Sequence, residues 1–184
     1  MKPAEDLKVE HALTMKMLAV LQAICSKMEK HEIGLAKDIE EIVAFLRVFV
    51  DRCHHGKEED ILFPGLEALG VFDESDLIEK LRMEHRTGRA LVEQMGRFIE
   101  ISKEGAAVPP SDFVDPAKRY VELIRKHIRT ENGTLLPGVR EKLSEERQLE
   151  ISQEFERLER EKIGEGKHES FVNLVQRLTQ AHVN

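Results

Sequence analysis

Two segments of this chain repeat one another, and the repeat restricts the fold more than any other feature. His54 is followed by Glu58 at plus four, Leu62 at plus eight, Pro64 at plus ten and Gly65 at plus eleven, and His127 is followed by Glu131, Leu135, Pro137 and Gly138 at the same offsets. Each match alone arises at about one in ten or less, so the joint coincidence is on the order of one in ten thousand or rarer. Upstream, Leu7-Lys8-Val9-Glu10-His11 resembles Leu81-Arg82-Met83-Glu84-His85, and the separations His11 to His54 and His85 to His127 are 43 and 42 residues. The repeat unit is therefore a helical hairpin, and two hairpins make an up-down-up-down four-helix bundle.

The patterning between the glycine and proline clusters agrees with an all-α chain. Residues 4 to 31 carry apolar side chains at helical spacing among Ala, Leu, Met, Lys and Glu, with Gly34 as a stop. A second helix over 35 to 63 places Ile39, Val43, Leu46, Val50, Ile61 and Leu62 on one stripe and ends at Pro64-Gly65. Asp73 or Ser75 caps a third helix running to about Lys103, and Asp115-Pro116 opens a fourth that reaches about Leu136. Beyond Pro137 the sequence predicts a mostly exposed helix over Glu141 to Lys162 and a shorter amphipathic one over 168 to 182, burying Phe171, Leu174, Val175 and Leu178. No run alternates with period two beside turn residues, as a strand would.

The duplicated positions carry chemistry. A spacing of four turns a helix by about 400°, so His54 and Glu58, like His127 and Glu131, project from one face on successive turns. Their neighbours on that face, Val50, Leu62, Ile124 and Leu135, are apolar, so the stripe would otherwise be core. With His11 and His85 the set is four imidazoles and two carboxylates, and burying them without a partner costs several kcal/mol. A bound cation offsets that cost. Six such donors exceed one tetrahedral zinc, and the twofold arrangement suits two first-row metal ions, each with two histidines, bridged by two carboxylates. Non-haem iron fits best, with manganese or zinc as substitutes and a bridging oxo or hydroxo group completing the pair.

Composition narrows the partners. With 35 acidic against 28 basic residues and a formal charge of −7, nucleic acid and anionic membranes are disfavoured. No stretch approaches the roughly 20 apolar residues of a membrane span, and MKPAEDLKVEH lacks the pattern of a signal peptide, so a cytoplasmic address is expected. Cys25 and Cys53 are too few for a disulfide framework and read as buried thiols. Methionines 15, 17, 28, 83 and 95 read as core fillers, and His31, His168 and His182 as surface residues. Glu165 and His168 form a solitary Glu-x-x-His string beside glycines, which is discounted, and no nucleotide-binding or serine-hydrolase motif occurs.

At the duplicated segments the chain resembles the hemerythrin-like, HHE cation-binding family. Cys53-His54-His55-Gly56-Lys57-Glu58-Glu59-Asp60-Ile61-Leu62-Phe63-Pro64 matches its most recognisable motif, and His127-Ile128-Arg129-Thr130-Glu131-Asn132 matches the second. The resemblance covers roughly residues 7 to 140 and implies a di-iron four-helix bundle, so residues 1–140 read as that bundle and residues 141–184 as a helical extension packed on the same domain. It implies His11, His54, Glu58, His85, His127 and Glu131 as metal ligands, the same six that the self-alignment selects. Oxygen-carrying hemerythrins have a His-x-x-x-His pair on the third helix and a His-x-x-x-x-Asp pair on the fourth. Here Arg89 follows His85 at plus four, and Glu131 and Asn132 follow His127, so reversible dioxygen carriage is disfavoured. The expectation is binding or reduction of a small oxidant or diatomic such as O2, NO or peroxide at an open iron position. The alternatives are an iron or oxygen sensor, iron storage, or an iron-centre repair module read by a partner.

Two assignments stay open at this level. His55 and Glu59 also stand four apart and form a competing register, although the second copy has Ile128 and Asn132 at those positions, which favours a place beyond the ligands or in a pocket for His55. Tyr120, seven residues before His127, either hydrogen-bonds the centre or is a core aromatic.

Overall fold

The computed structural model of the chain describes residues 1–71, 76–105, 107–164 and 166–183, and all regular elements among them are helices. Helix α1 is Pro3–Glu29. Helix α2 runs without interruption over residues 36–68, with widened π-helical stretches at Leu46–His55 and Glu58–Leu62. Helix α3 is Leu77–Lys103. Helix α4 covers residues 111–142 and contains a π-helical turn at Glu131–Leu135. Helices α5, Glu145–Lys162, and α6, Lys167–His182, complete the chain. Helix α1 packs on α2 and α4, and α3 packs on the same two, so the four close into a ring. None of the described helices is long and apolar enough to cross a membrane.

The prolines behave differently from expectation, for a local reason. Helix α2 continues through Pro64 to Ala68, and α4 continues through Pro137 to Lys142. A proline ring clashes with the carbonyl four residues before it and cannot donate to it. Here a π-turn precedes each proline: the Phe63 N–H bonds the Glu58 carbonyl and the Leu136 N–H bonds the Glu131 carbonyl, five residues back in both cases. The wider turn leaves room for the ring, so the helix bends its hydrogen-bond ladder and goes on. Helix α4 also starts earlier than Asp115, at Ser111, with Pro116 inside it. The extra turn brings Phe113 and Val114 into the core, where Phe113 meets the Phe98 ring at 5.6 Å. Helix α1 stops two residues short of His31, which takes a positive φ of 59°. The proposed caps Asp73 and Ser75 lie outside the described residues, as does Glu165.

The apolar core is split in two, and the split places the site. One cluster contains Met17, Leu18, Phe45, Phe49, Leu91, Met95, Phe113 and Ile124; the other contains Leu7, Leu62, Phe63, Leu81, Leu135 and Phe155. Each of the four bundle helices passes from one cluster to the other. At the crossing it carries its buried polar residues: Glu10, His11 and Thr14 on α1, His54, His55, Lys57 and Glu58 on α2, His85 on α3, and His127 and Glu131 on α4. The polar groups thus form one layer across the bundle, capped above and below by hydrocarbon. Met17, Met28 and Met95 do fill the core, whereas Met15 and Met83 are exposed.

Helices α5 and α6 cover one side. Ile151, Phe155 and Leu158 of α5 belong to the second cluster, while Val175 and Leu178 of α6 are buried in the first. Phe171 meets the Phe45 ring edge-on at 5.6 Å. His182, expected on the surface, is instead largely covered and bonds the Asp38 carboxylate at 2.9 Å, pinning the end of α6 to α2.

The attachment of α5 runs through a buried cation. The Lys57 ammonium, 1% exposed, donates to Glu10 at 2.6 Å, Asp6 at 3.0 Å and Glu159 of α5 at 3.2 Å, and it lies over the Phe155 ring. Burial lowers its proton affinity, but Glu10 and Asp6 outweigh that and hold it well above its ordinary value. Removing one partner of such a pair strands the other as a bare buried charge, at about 3–5 kcal/mol. Lys57→Met is therefore expected to destabilise the metal-free protein by about 3 kcal/mol in urea denaturation, with most of the loss recovered by adding Glu10→Gln. An unchanged midpoint would contradict this account.

Candidate metal centre

The polar layer brings all six sequence-selected residues together, each at most 2% exposed. Their donor atoms form two overlapping groups. One comprises His11, His54, Glu58 and Glu131, the other Glu58, His85, His127 and Glu131, and within each group the ligand atoms lie within 4.8 Å of one another. The two glutamates are common to both. The imidazoles face each other in pairs, with His11 Nε2 3.1 Å from His54 Nε2 and His85 Nε2 3.1 Å from His127 Nε2. Glu131 reaches across with one oxygen 3.0 Å from His11 Nε2 and the other 2.8 Å from His127 Nε2. Glu58 sits opposite, 3.4 Å from His85 Nε2 and 4.0 Å from His54 Nε2.

The far side of every ring is held. His54 Nδ1 donates to Glu10 at 2.8 Å, His127 Nδ1 to Glu84 at 2.9 Å, His85 Nδ1 to Glu59 at 2.7 Å and His11 Nδ1 to the Asn132 side-chain oxygen at 3.0 Å. These four partners follow the internal repeat. The residue before each first-helix histidine, Glu10 or Glu84, orients the histidine of the next helix. The residue after each central glutamate, Glu59 or Asn132, orients a histidine of the other hairpin. With an Nδ1 proton of each ring committed to its outward partner, the four Nε2 atoms face inward.

This arrangement fits a metal pair on its own chemistry. Two nitrogen lone pairs 3.1 Å apart share at most one proton, and none of the four oxygens of the fully buried Glu58 and Glu131 receives a well-directed hydrogen bond. Buried carboxylates left this way are costly, and a cation among them removes the cost. Electrostatics shows the same tension. Burial pushes the Glu131 carboxyl up, yet His127 and His11 overcome it and hold the group well below the carboxylate range. Burial lowers His127, but the Glu131 charge beside it and the hydrogen bond to Glu84 raise it to about 10. His11 and His85 are raised against burial by their carboxylate neighbours in the same way. The outward acids are anchored as anions: Glu10 is brought to about 2 by His54 and Lys57, and Glu59 to about 2 by His85 and Arg89, both against burial.

The model of the hemerythrin HHE cation-binding domain matches residues 2–139, which includes all six of these side chains. The chain belongs to that family. Its hemerythrin-like bundle is a metal-binding domain, and each of the buried His and Glu groups described above could hold a metal ion. Uncharacterised proteins of Mycobacterium tuberculosis and Mycobacterium bovis are 25% identical over 174 residues, covering 93% of this chain and 66% of theirs. The chain thus spans just under two thirds of the length of these relatives. No solved structure matches it.

His55 also stands close to one half of the layer, where its ring nitrogen and those of His85 and His127 form a third group within 4.8 Å. His55 is buried beside the hemerythrin-family site rather than among the shared glutamates: its ring stacks on His85 with centroids 3.8 Å apart and 15° between planes, and its Nδ1 has no hydrogen-bond partner. Burial and the adjacent imidazoles lower its proton affinity far below the ordinary value. Glu59 acts on the outside of His85, clamped by Arg89 at 2.8 Å. Tyr120 packs against Gly88 and, with His55, Asp51 and Arg89, lines a small cavity of about 40 Å³. Cys25 and Cys53 are buried thiols; burial pushes Cys25 up to about 11.

Glu10, Glu84, Glu59 and Asn132 were not selected by sequence reasoning as contributors to the centre. Glu10 and Glu84 had a signal, because both copies read Glu-His at the start of the repeat. Glu59 stood out only through its plus-four spacing from His55, which suggested a ligand rather than a partner of His85, and Asn132 had no signal, since the copies differ there.

Proton competition gives a test. Groups with raised proton affinity keep their protons through neutral pH, so a metal ion must expel them; the competition grows as pH falls, and apparent affinity rises with pH until His127 empties near 10. Calorimetric titration of the metal-free protein with a divalent ion at pH 7, in buffers of different ionisation enthalpy, is expected to show net proton release. Buffer-independent heats would show that the inward nitrogens are already free.

Proposed function

We propose that this protein holds two non-haem iron ions, one between His11 and His54 and the other between His85 and His127, with Glu58 and Glu131 serving both and an oxo or hydroxo bridge completing the pair. Manganese and zinc are the substitutes that the same donors would accept. The carrying observation is that four Nδ1 atoms are tied outward while the four Nε2 atoms meet only one another in pairs and two shared carboxylates converge on them without directed hydrogen bonds of their own. When bound, the irons supply electrons and an open coordination position for a small oxidant or diatomic such as O2, NO or peroxide.

The chain's own residues do the rest. The outward hydrogen bonds fix ring orientation and raise the basicity of each Nε2, the shared glutamates absorb changes in charge across the pair, and the two apolar clusters keep bulk water and larger molecules out. Nothing in the layer suits a bulky substrate. The net charge of −7 supports a partner other than nucleic acid or an anionic membrane.

A second reading has one specific observation in its favour. Glu159 of α5 bonds Lys57, Lys57 bonds Glu10, and Glu10 bonds His54, so one line of charged contacts joins the layer to the accessory helices. An iron or oxygen sensor, read by a partner through α5, would use that line. Large thermal stabilisation by iron with no turnover of peroxide or NO favours this reading.

Two measurements decide the main proposal. Ferrous protein mixed with O2, NO or peroxide is expected to gain near-ultraviolet and visible charge-transfer bands, and an unchanged spectrum with two irons bound rejects small-molecule chemistry. Glu58→Ala or Glu131→Ala is expected to lose about half of the iron or more, since each carboxylate serves both ions. Full retention of two irons would exclude shared ligation.

A further inference from the structure

The two halves of the centre are alike in their inward donors and unlike in what stands behind and around them. Behind His85 and His127 stand two carboxylates, Glu59 and Glu84. Behind His11 and His54 stand the uncharged amide of Asn132 and the carboxylate of Glu10, whose charge is shared with the buried Lys57 at 2.6 Å. A carboxylate behind an imidazole raises the basicity of its metal-facing nitrogen; an amide oxygen holds the orientation and adds no charge. Glu59 also shares charge with Arg89, but that guanidinium is 36% exposed, so solvent screens it, whereas Lys57 is 1% exposed.

Access differs in the same direction. His11 and Asn132 form part of the floor of an open surface hollow of about 400 Å³, together with Lys8, Met15 and Ile128. On the other side the His85 ring lies between the rings of His55 and Phe63, both within 17° of parallel. The cavity there is about 40 Å³, and Arg89, one of its wall residues, is tied to Asp51 at 2.6 Å and Glu59 at 2.8 Å.

We propose that the two metal positions are inequivalent: the one between His11 and His54 is the exchangeable position, through which a divalent first-row ion enters and leaves by the hollow at Asn132, and the one between His85 and His127 is the retained position. The difference is set by residues at matching points of the repeat, Asn132 in one copy and Glu59 in the other. It rests on the dinuclear reading above. When the first ion leaves, the second keeps all four of its donors, His85, His127, Glu58 and Glu131.

The difference in outer partners can be narrowed from either side by isosteric changes, with the access to each position left as it is. Asn132→Asp puts a carboxylate behind His11 in the same place, and Glu59→Gln takes one from behind His85 while keeping an acceptor oxygen. Outer partners of metal-bound histidines alter affinity by about 10–100-fold. Protein loaded anaerobically with ferrous iron, then mixed with excess of a coloured ferrous chelator, is expected to release iron in two phases of equal amplitude. Asn132→Asp should slow the fast phase about tenfold and leave the slow one; Glu59→Gln should speed the slow phase about tenfold and leave the fast one. Far-ultraviolet circular dichroism of each variant checks that the bundle is intact. Two irons released in a single phase, or phases that respond to the opposite variants, would overturn this inference and leave the dinuclear reading standing. Fewer than two irons bound by the native protein would overturn both.

Discussion

Everything in this structure is arranged around one energetic problem, the placement of four imidazoles and two carboxylates in the dry middle of a helical bundle. Two hydrophobic clusters enclose the layer from above and below, so water cannot solvate the charges. The molecule answers by sorting its hydrogen bonds. The Nδ1 atoms of His11, His54, His85 and His127 are satisfied on the outside of the layer, and their Nε2 atoms and the central acids face inward, where protons alone serve them poorly. An apolar core of this volume would be easier to fold, so the retained polar layer points to a cation as the missing component.

The backbone bears the mark of the same problem. Both central glutamates open a π-helical turn, and both turns are followed by proline at the same offset. The duplicated Pro-Gly therefore belongs to the geometry of the site as much as to the end of a helix. Reading proline as a terminator placed the ends of α2 and α4 several residues early, because the rule concerns a regular α-helical ladder and these ladders are widened just before the ring.

The six inward residues were legible because duplication exposed them: chance does not repeat His, Glu, Leu, Pro and Gly at fixed offsets. The bundle followed from the same repeat. What surrounds the six was harder to read. Glu10 and Glu84 were visible in both copies, but position along a helix does not tell which neighbour a long side chain reaches. Glu59 and Asn132 differ between copies, and a self-alignment discards what differs. His182 looked terminal and solvated, yet its partner Asp38 is 144 residues away, a pairing that only tertiary structure creates. Divergence between the copies, set aside when the repeat was the signal, is what makes the two halves of the centre distinct.

The account stands or falls on where metal sits. X-ray diffraction from crystals of iron-loaded protein, with data collected on both sides of the iron absorption edge, locates the ions independently of any assumed ligand. It should show two anomalous peaks in the polar layer, one beside His11 and His54 and one beside His85 and His127, with Glu58 and Glu131 between them. A single peak, or iron bound elsewhere with the six side chains still facing one another, would contradict it.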